Sequence, residues 1–278
     1  MLNLALGGEA RALLGFIERQ KNLVRRYWAW EFVWLLYNVV NVLSVGFLGD
    51  GLGRIDSHVS LAVLHRTQLY LLVGSLLWGY LGMVFVEIAY AIDTERWEGT
   101  IEYTFMAPMR RITHLSGICL FSIVYGFLRS LLVFLIAIFM FHLDLASANP
   151  LSAAVVMLAS IIPLVGMGVI ASVLPLVSPE KGQQMTMVLE GAILLVSGVY
   201  YPISVLPLPL QVLGRIMPLT YTLDGTRAAI VYGAPLGRVL PDVAVLIVMG
   251  VLLVPIGLWI FGRAEHRAKR LGLLKRSG

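Results

Sequence analysis

Apolar residues fall along this chain in blocks of about 20, the length that crosses roughly 30 Å of hydrocarbon as a helix. The first block runs from Ala29 to Leu48, the second from Thr67 to Ile92 and the third from Leu115 to Phe141. The fourth covers Leu151–Val177, the fifth Met185–Tyr201 and the last Leu240–Phe261. Shorter polar stretches separate them: a loop Gly49–Arg66 carrying Gly49, Gly51 and Gly53, then His142–Pro150 and Ser178–Gln184. The short alternating segments of a membrane barrel are missing. The pattern predicts an all-α, polytopic membrane protein: six transmembrane helices in one domain over residues 1–278. Pro163 and Pro175 in the fourth span, and Pro255 in the last, each remove a helix hydrogen bond and predict kinks.

Two stretches follow a different pattern. Over residues 9–28, Leu13, Leu14, Ile17, Val24, Tyr27 and Trp28 recur at three- and four-residue spacing. Arg11, Glu18, Asn22, Arg25 and Arg26 fall largely on the other side. An apolar stripe opposite a basic face suits a helix lying at the membrane–water interface. Trp28 and Trp30 stand where tryptophan concentrates, at the edge of a bilayer. The segment 202–237 is apolar but broken by Pro202, Pro207, Pro209, Pro218 and Pro235. Leu208–Met217 and Thr220–Tyr232 each fit a short helix, and neither can span the bilayer at about 1.5 Å per residue. The expected shape is a re-entrant pair dipping into the outer leaflet, where irregular backbone needs protein or a cavity around it. A hydrophobic loop lying on the outer surface is the plainer alternative.

Composition agrees with the pattern. The chain is 59% hydrophobic and 13% charged, against about 25% charged in soluble domains. The net charge of +5 sits at span ends, which points to membrane orientation and not to nucleic acid. On the side of both termini stand fifteen Lys and Arg: five before Trp28, three in residues 93–111, Lys181, and six from Arg263 on. The other side has five: Arg54, Arg66, Arg215, Arg227 and Arg238. That excess places both termini, the 93–111 loop and the basic tail 263–278 in the cytoplasm. Cys119, the single cysteine, lies in an apolar run and reads as structural. Residues 1–8 lack the apolar core and early positive charge of a cleaved signal peptide.

Familiar catalytic patterns are missing. The chain has no Gly-x-x-x-x-Gly-Lys-[Ser/Thr] phosphate loop, no His-Glu-x-x-His and no Gly-x-Ser-x-Gly elbow. Its histidines (His58, His65, His114, His142, His266) show no metal-ligand spacing. The expectation is no catalytic residue and no metal site. Glu87, Glu190 and Arg129 are singled out as ionisable residues inside spans, and such residues are functional candidates by default. By helical rise, Glu87 and Glu190 are shallow, about 9 Å from the cytoplasmic end for Glu87, and Arg129 lies roughly 20–25 Å in. Arg129 is therefore expected to find Asn38 or Asn41 of the first span before either acid. These five residues are candidates for a translocation path, with helix anchoring and snorkelling as the plainer roles. Asp224 and Arg227 stand at i,i+3 spacing, as for a local ion pair. Capture of substrate at an exit is the sharper alternative for Arg227.

The largest charged island between spans is Asp93–Arg111, which reads DTERWEGTIEYTFMAPMRR. Such a block is expected to be wet. Gly99 can end one helix, Thr100 can cap another, Ile101 and Phe105 share a face, and Pro108 stops the run. A short helix with that apolar edge and flanking charges would fit a groove on a partner.

Two motifs resemble the membrane subunits of ABC exporters of the type-2 permease family, which includes drug, polysaccharide and lipid exporters. The first is Glu95-Arg96, then Gly99-Thr100 and Glu102, then Ala107-Pro108 with Arg110-Arg111. The second is Tyr201-Pro202-Ile203, Leu206-Pro207, Met217-Pro218-Leu219-Thr220-Tyr221 and Arg227. The resemblance implies an ATPase-coupling helix that uses Glu95, Arg96, Gly99, Thr100, Glu102 and Pro108, and the apolar edge read from spacing adds Ile101 and Phe105 to it. It also implies a re-entrant segment built on Pro202, Pro207, Pro218, Tyr221 and Arg227. The implied machine is an exporter in the bacterial inner membrane. It pairs this chain with a second permease copy, identical or not, in contact with membrane lipid. Two copies of a separate ATPase subunit hold ATP and Mg, and this chain is no enzyme on its own. Two rival classes remain at this point: an ion-coupled transporter or channel, which needs deep pore-facing acids, and a non-transporting scaffold for an ATPase. A lipid-acting intramembrane enzyme would need a nucleophile, base or metal set at one depth, and the sequence offers none.

Overall fold

The computed structural model describes residues 2–55, 61–107, 109–143 and 145–274. Regular structure among them is helical: α1 (Leu2–Arg26), α2 (Trp28–Ile55), α3 (Leu61–Ala89), α4 (Ala91–Glu98), α5 (Ile101–Met106) and α6 (Arg111–Phe141). The second half holds α7 (Pro150–Ala171), α8 (Val173–Val177), α9 (Gly182–Val196), α10 (Leu208–Arg215), α11 (Pro218–Tyr232) and α12 (Leu236–Arg270). A short 3-10 turn, Ile203–Val205, precedes α10. Five stretches are long and apolar enough to cross a membrane: Trp28–Gly51, Val63–Ala89, Ile112–Phe141, Pro150–Val177 and Leu236–Arg270.

Several boundaries move from the sequence reading. Helices α2 and α3 absorb most of the expected 49–66 loop, whose residues 56–60 lie outside the described residues. The expected interfacial helix starts earlier, at Leu2, and ends at Arg26. The fifth expected span is α9, with 15 residues, about 22 Å of helix. Helix α7 runs through Pro163 without a break, while the helix is interrupted at Ser172 ahead of Pro175. Pro175 offers no N–H to the Ala171 carbonyl, which accounts for the interruption. The basic tail is helical as far as Arg270, and residues 275–278 lie outside the described residues.

Helix α3 is the central one. In its most apolar window 67% of residues are buried, against 17% for α2 and for α6. Its buried Leu72, Leu81, Val84 and Ile88 anchor the core. The outer helices leave large apolar side chains exposed: Val33, Leu36 and Val40 on α2, Leu128, Leu132 and Leu135 on α6, Val248, Val251 and Leu252 on α12. A soluble monomer rarely exposes an apolar surface so extensive, so these faces belong in lipid. Helices α7 and α12 pack through small residues. A Cβ built on Gly166 would lie 2.8 Å from the Leu253 carbonyl carbon, and one on Gly257 would lie 2.9 Å from the Gly166 oxygen. Close backbone approach of this kind is how membrane helices gain van der Waals contact.

The helix ends sort into two layers. At one end, called proximal here, α1 lies against the start of α6, with Phe16 beside Gly117, and the chain after α12 reaches α4. At the distal end, Phe47 of α2 meets Phe141 of α6 with ring centroids 5.1 Å apart. There Asn149 N–H donates to the Ala229 carbonyl of α11 at 2.9 Å.

Candidate functional site

The charged island folds into an elbow at the proximal end. Tyr90 separates α3 from α4. Gly99 closes α4 with φ of 75°, a conformation open to glycine, and its N–H and that of Thr100 return to the Arg96 and Glu95 carbonyls. Helix α5 follows at once. Thr100 does not cap α5 with its side chain. Its hydroxyl instead accepts from Arg19 Nη2 at 2.9 Å.

The expectation that the island is wet is corrected at its centre. Glu95 and Arg96 are both 1% exposed, because each finds partners inside the protein. Arg96 Nη1 donates to the Pro175 carbonyl at 2.6 Å and Nη2 to the Leu273 carbonyl at 3.0 Å. Continuing helix would satisfy the Pro175 carbonyl from residue 179, but that residue is Pro179 and has no N–H. The Arg96 guanidinium takes its place and ties α4 to α8 and to the chain after α12. Asp93 lies 3.9 Å from it. Burial raises the Asp93 carboxyl above its ordinary value, and Arg96 offsets this only in part.

Glu95 gathers the neighbouring elements. Its Oε1 accepts from Arg19 Nη1 of α1 at 2.9 Å and from Thr104 Oγ1 of α5 at 3.3 Å, and it lies 2.9 Å from His114 Nε2 of α6. Burial pushes the carboxyl up, but the His114 contact and the Arg19 guanidinium outweigh it and hold Glu95 below its ordinary value. Arg19 also reaches Glu98 Oε2 at 3.1 Å. Glu9, near the start of α1, accepts from the Arg110 N–H at 3.3 Å and from the Thr113 hydroxyl, holding the first turn of α6.

The sequence reading aimed Ile101 and Phe105 at a partner. Both are buried in the protein's own core. The side of α5 that faces out carries Glu102, Tyr103 and Met106, with Tyr103 80% and Met106 81% exposed. Trp97 of α4 adds a further exposed ring beside them in sequence. Pro108 lies outside the described residues.

Between α1, α2, the end of α3, α4, α6 and the start of α9 with the turn before it opens a cavity of about 810 Å³. Glu31, Glu87, Asp93, Glu98 and Glu180 line it, together with Trp30, Tyr90, Trp97, Phe121 and Tyr125. Arg129 sits above it. Its Nη1 lies 3.4 Å from Glu31 Oε2, which also accepts from the Tyr125 hydroxyl at 2.8 Å. The expected asparagine partners are thus replaced by Glu31. Asn38 Nδ2 donates within its own helix, to the Trp34 carbonyl at 2.9 Å, although Asn38 and Arg129 share a narrow cleft with Met83. Asn41 is exposed. Glu190 faces Gly82 of α3.

At the distal end, Arg227 does not close on Asp224. It is 3% exposed and donates to the Tyr70 hydroxyl and the Gly198 carbonyl, each at 2.9 Å, and to the Val199 carbonyl. Its guanidinium carbon lies 3.6 Å from the centroid of the Tyr70 ring, a cation–π geometry. Gly74 leaves the space for this arrangement, since a Cβ there would overlap Val199 O and Arg227. Pro207 and Pro218 stand at the starts of α10 and α11, and Pro202 precedes the 3-10 turn. The Tyr221 hydroxyl donates to the Arg215 carbonyl at 2.9 Å and joins the two short helices.

Sequence reasoning missed Arg19, His114, Glu31 and Tyr70 as partners. Glu31 carried a readable signal, an acid inside the first apolar block. The other three gain their roles only when distant helices meet. A model of the family described as ABC-2 type transporter matches residues 16–231, well over half of the 278. No curated protein matches the chain. The chain belongs to the ABC-2 type transporter family.

Proposed function

We propose that this member of the ABC-2 type transporter family is the permease subunit of an ATP-driven exporter, moved by a separate ATPase that docks on the α4–α5 elbow. The observation that carries the reading is the outward side of α5. Tyr103 and Met106 stand exposed beside Glu102, on a helix whose opposite side is buried. An exposed tyrosine and methionine next to a carboxylate suit a protein partner.

The elbow can pass on a push. Through Glu95 it is held to α1 and α6, and through Arg96 to α8 and the chain after α12. Displacement of α5 therefore loads four other elements at once, as a two-state rearrangement of packed helices requires. In this reading the proximal end is cytoplasmic, as the Lys and Arg count indicates. Helix α9 with the chain after it makes the sixth crossing, and α10–α11 dip back into the outer leaflet. Two permease copies and two ATPase copies form the complex, with ATP and Mg on the ATPase.

The test is co-expression with the ATPase and recovery through a tag on this chain. Glu102→Lys combined with Met106→Glu is expected to cut recovered ATPase by about tenfold or more, the scale of an interface hot spot. Membrane insertion stays intact. Gly99→Pro is expected to do the same by breaking the elbow. Full ATPase recovery and ATP-driven transport in these variants would overturn the reading, as would transport by the chain alone on an ion gradient.

A further inference from the structure

The proximal cavity has a chemistry of its own. Its volume of about 810 Å³ matches pockets for drug-sized molecules, about 300–1,000 Å³. Five carboxylates line it, and among the described residues no Lys or Arg side chain does. Three of the five have a cationic neighbour outside the lining: Glu98 has Arg19, Glu31 has Arg129, and Asp93 has Arg96 at 3.9 Å. Glu87 and Glu180 have no ion-pair partner among the described residues.

Glu87 is the decisive residue. Its side chain is exposed in the wall of the cavity, at the end of α3. Among the described residues no group donates a hydrogen bond to it, and the positive charge that acts on it, Arg129, is already paired with Glu31. A carboxylate inside an apolar span, opening on a cavity with aromatic walls, favours a ligand that brings a positive charge. The walls around it are aromatic. Phe121 and Tyr125 stack at 5.5 Å between centroids, and Tyr27 leans on Trp97 at 6.2 Å. Ring faces attract cations and cover apolar bulk at the same time. A bare metal ion is a poorer fit, since no three His, Cys, Asp or Glu side chains converge among the described residues. An anion would meet five carboxylates, and a neutral apolar molecule would use none of them.

We propose that this cavity binds organic cations, a quaternary ammonium, phosphonium or protonated amine carried on an aromatic or alkyl body. The assignment rests on the permease reading for its meaning, as the substrate class taken up at the proximal side. Binding itself needs no ATPase. The test uses the purified full chain in lipid nanodiscs and two probes of one shape and opposite charge, tetraphenylphosphonium and tetraphenylborate. Binding is read from quenching of tryptophan fluorescence, since Trp30 and Trp97 line the cavity. Tetraphenylphosphonium is expected to saturate the signal and tetraphenylborate only to partition into the lipid. Glu87→Gln is expected to weaken phosphonium binding by about tenfold, the scale of one lost countercharge in a shielded site. Glu180→Gln, on the turn before α9, should weaken it less and stands in if Glu87→Gln fails to purify as a single species. Equal saturation by both probes, or phosphonium binding unchanged in the variants, overturns the proposal. A chain that recovers its ATPase but binds no phosphonium loses the substrate class alone and keeps the permease reading.

Discussion

Arg96 shows how one side chain can hold several elements. A guanidinium that donates to the Pro175 carbonyl answers a backbone group that a helix end leaves without a partner, and it also holds the Leu273 carbonyl in the chain after α12. Glu95 acts in the same way with side chains, and its titration gives a measurable signature. The folded carboxyl lies below its ordinary value, so its stabilisation is present above the unfolded value of about 4.3. It is lost as the pH falls through the lower folded value. Thermal stability is therefore expected to fall on acidification from pH 7 to below about 4.3. Glu95→Gln is expected to start lower at pH 7 and to show a shallower fall. Identical pH profiles for the two proteins would show that Glu95 is not the group held down by Arg19 and His114. None of these contacts was legible at the residue scale. Arg19 reads as one more basic residue on an amphipathic helix, and the 76 positions between it and Glu95 are closed only by the packing of α1 on the elbow.

At the scale of elements the sequence was more informative, because period and length carry the signal. The long apolar blocks appear as helices, and the two short helices Leu208–Arg215 and Pro218–Tyr232 fall where proline spacing put them. Gly99 ends α4 by its backbone. What failed was orientation. Ile101 and Phe105 share a face of α5, but periodicity says only that a face is apolar, not whether core or partner covers it. Here the core takes both. The α7–α12 contact was equally hidden, since a glycine in an apolar run does not announce which helix approaches it. Gly166→Ala would place a Cβ 2.8 Å from Leu253 backbone and side chain, so the helices must part. A loss of about 1–3 kcal/mol is expected, read as a lower melting temperature. Gly262→Ala, with nothing within 4 Å of its Cβ, is the control and should hold or raise stability. Equal melting of the two variants would contradict close packing at Gly166.

At the scale of the whole molecule, the parts form two layers joined by long helices. The proximal layer holds α1, the elbow, α8 and the end of α12 around Glu95 and Arg96. The distal layer holds α10 and α11 around Arg227 and Tyr70. Helix α3 connects the layers, with Tyr70 near one end and Glu87 near the other. The elbow continues from that end. In the proposed mechanism a push on α5 would arrive beside the carboxylate-lined cavity and at the foot of the central helix. The general class was legible in composition and apolar length, whereas the cavity was not. Its lining comes from four separate stretches of chain, 20–31, 87–98, 121–125 and 179–184, and only Glu87 among its acids drew notice as a path residue.

The central claim is that the outward side of α5 meets the ATPase. Cys119 is buried, so a cysteine introduced on the surface is the reactive one. Met106→Cys and Tyr103→Cys, each carried in the complete complex and treated with a short thiol-to-amine cross-linker, are the direct measurement. The account predicts that both positions join this chain to the ATPase, while Arg270→Cys at the end of α12 does not. Cross-links from Arg270→Cys with none from Met106→Cys or Tyr103→Cys would contradict it.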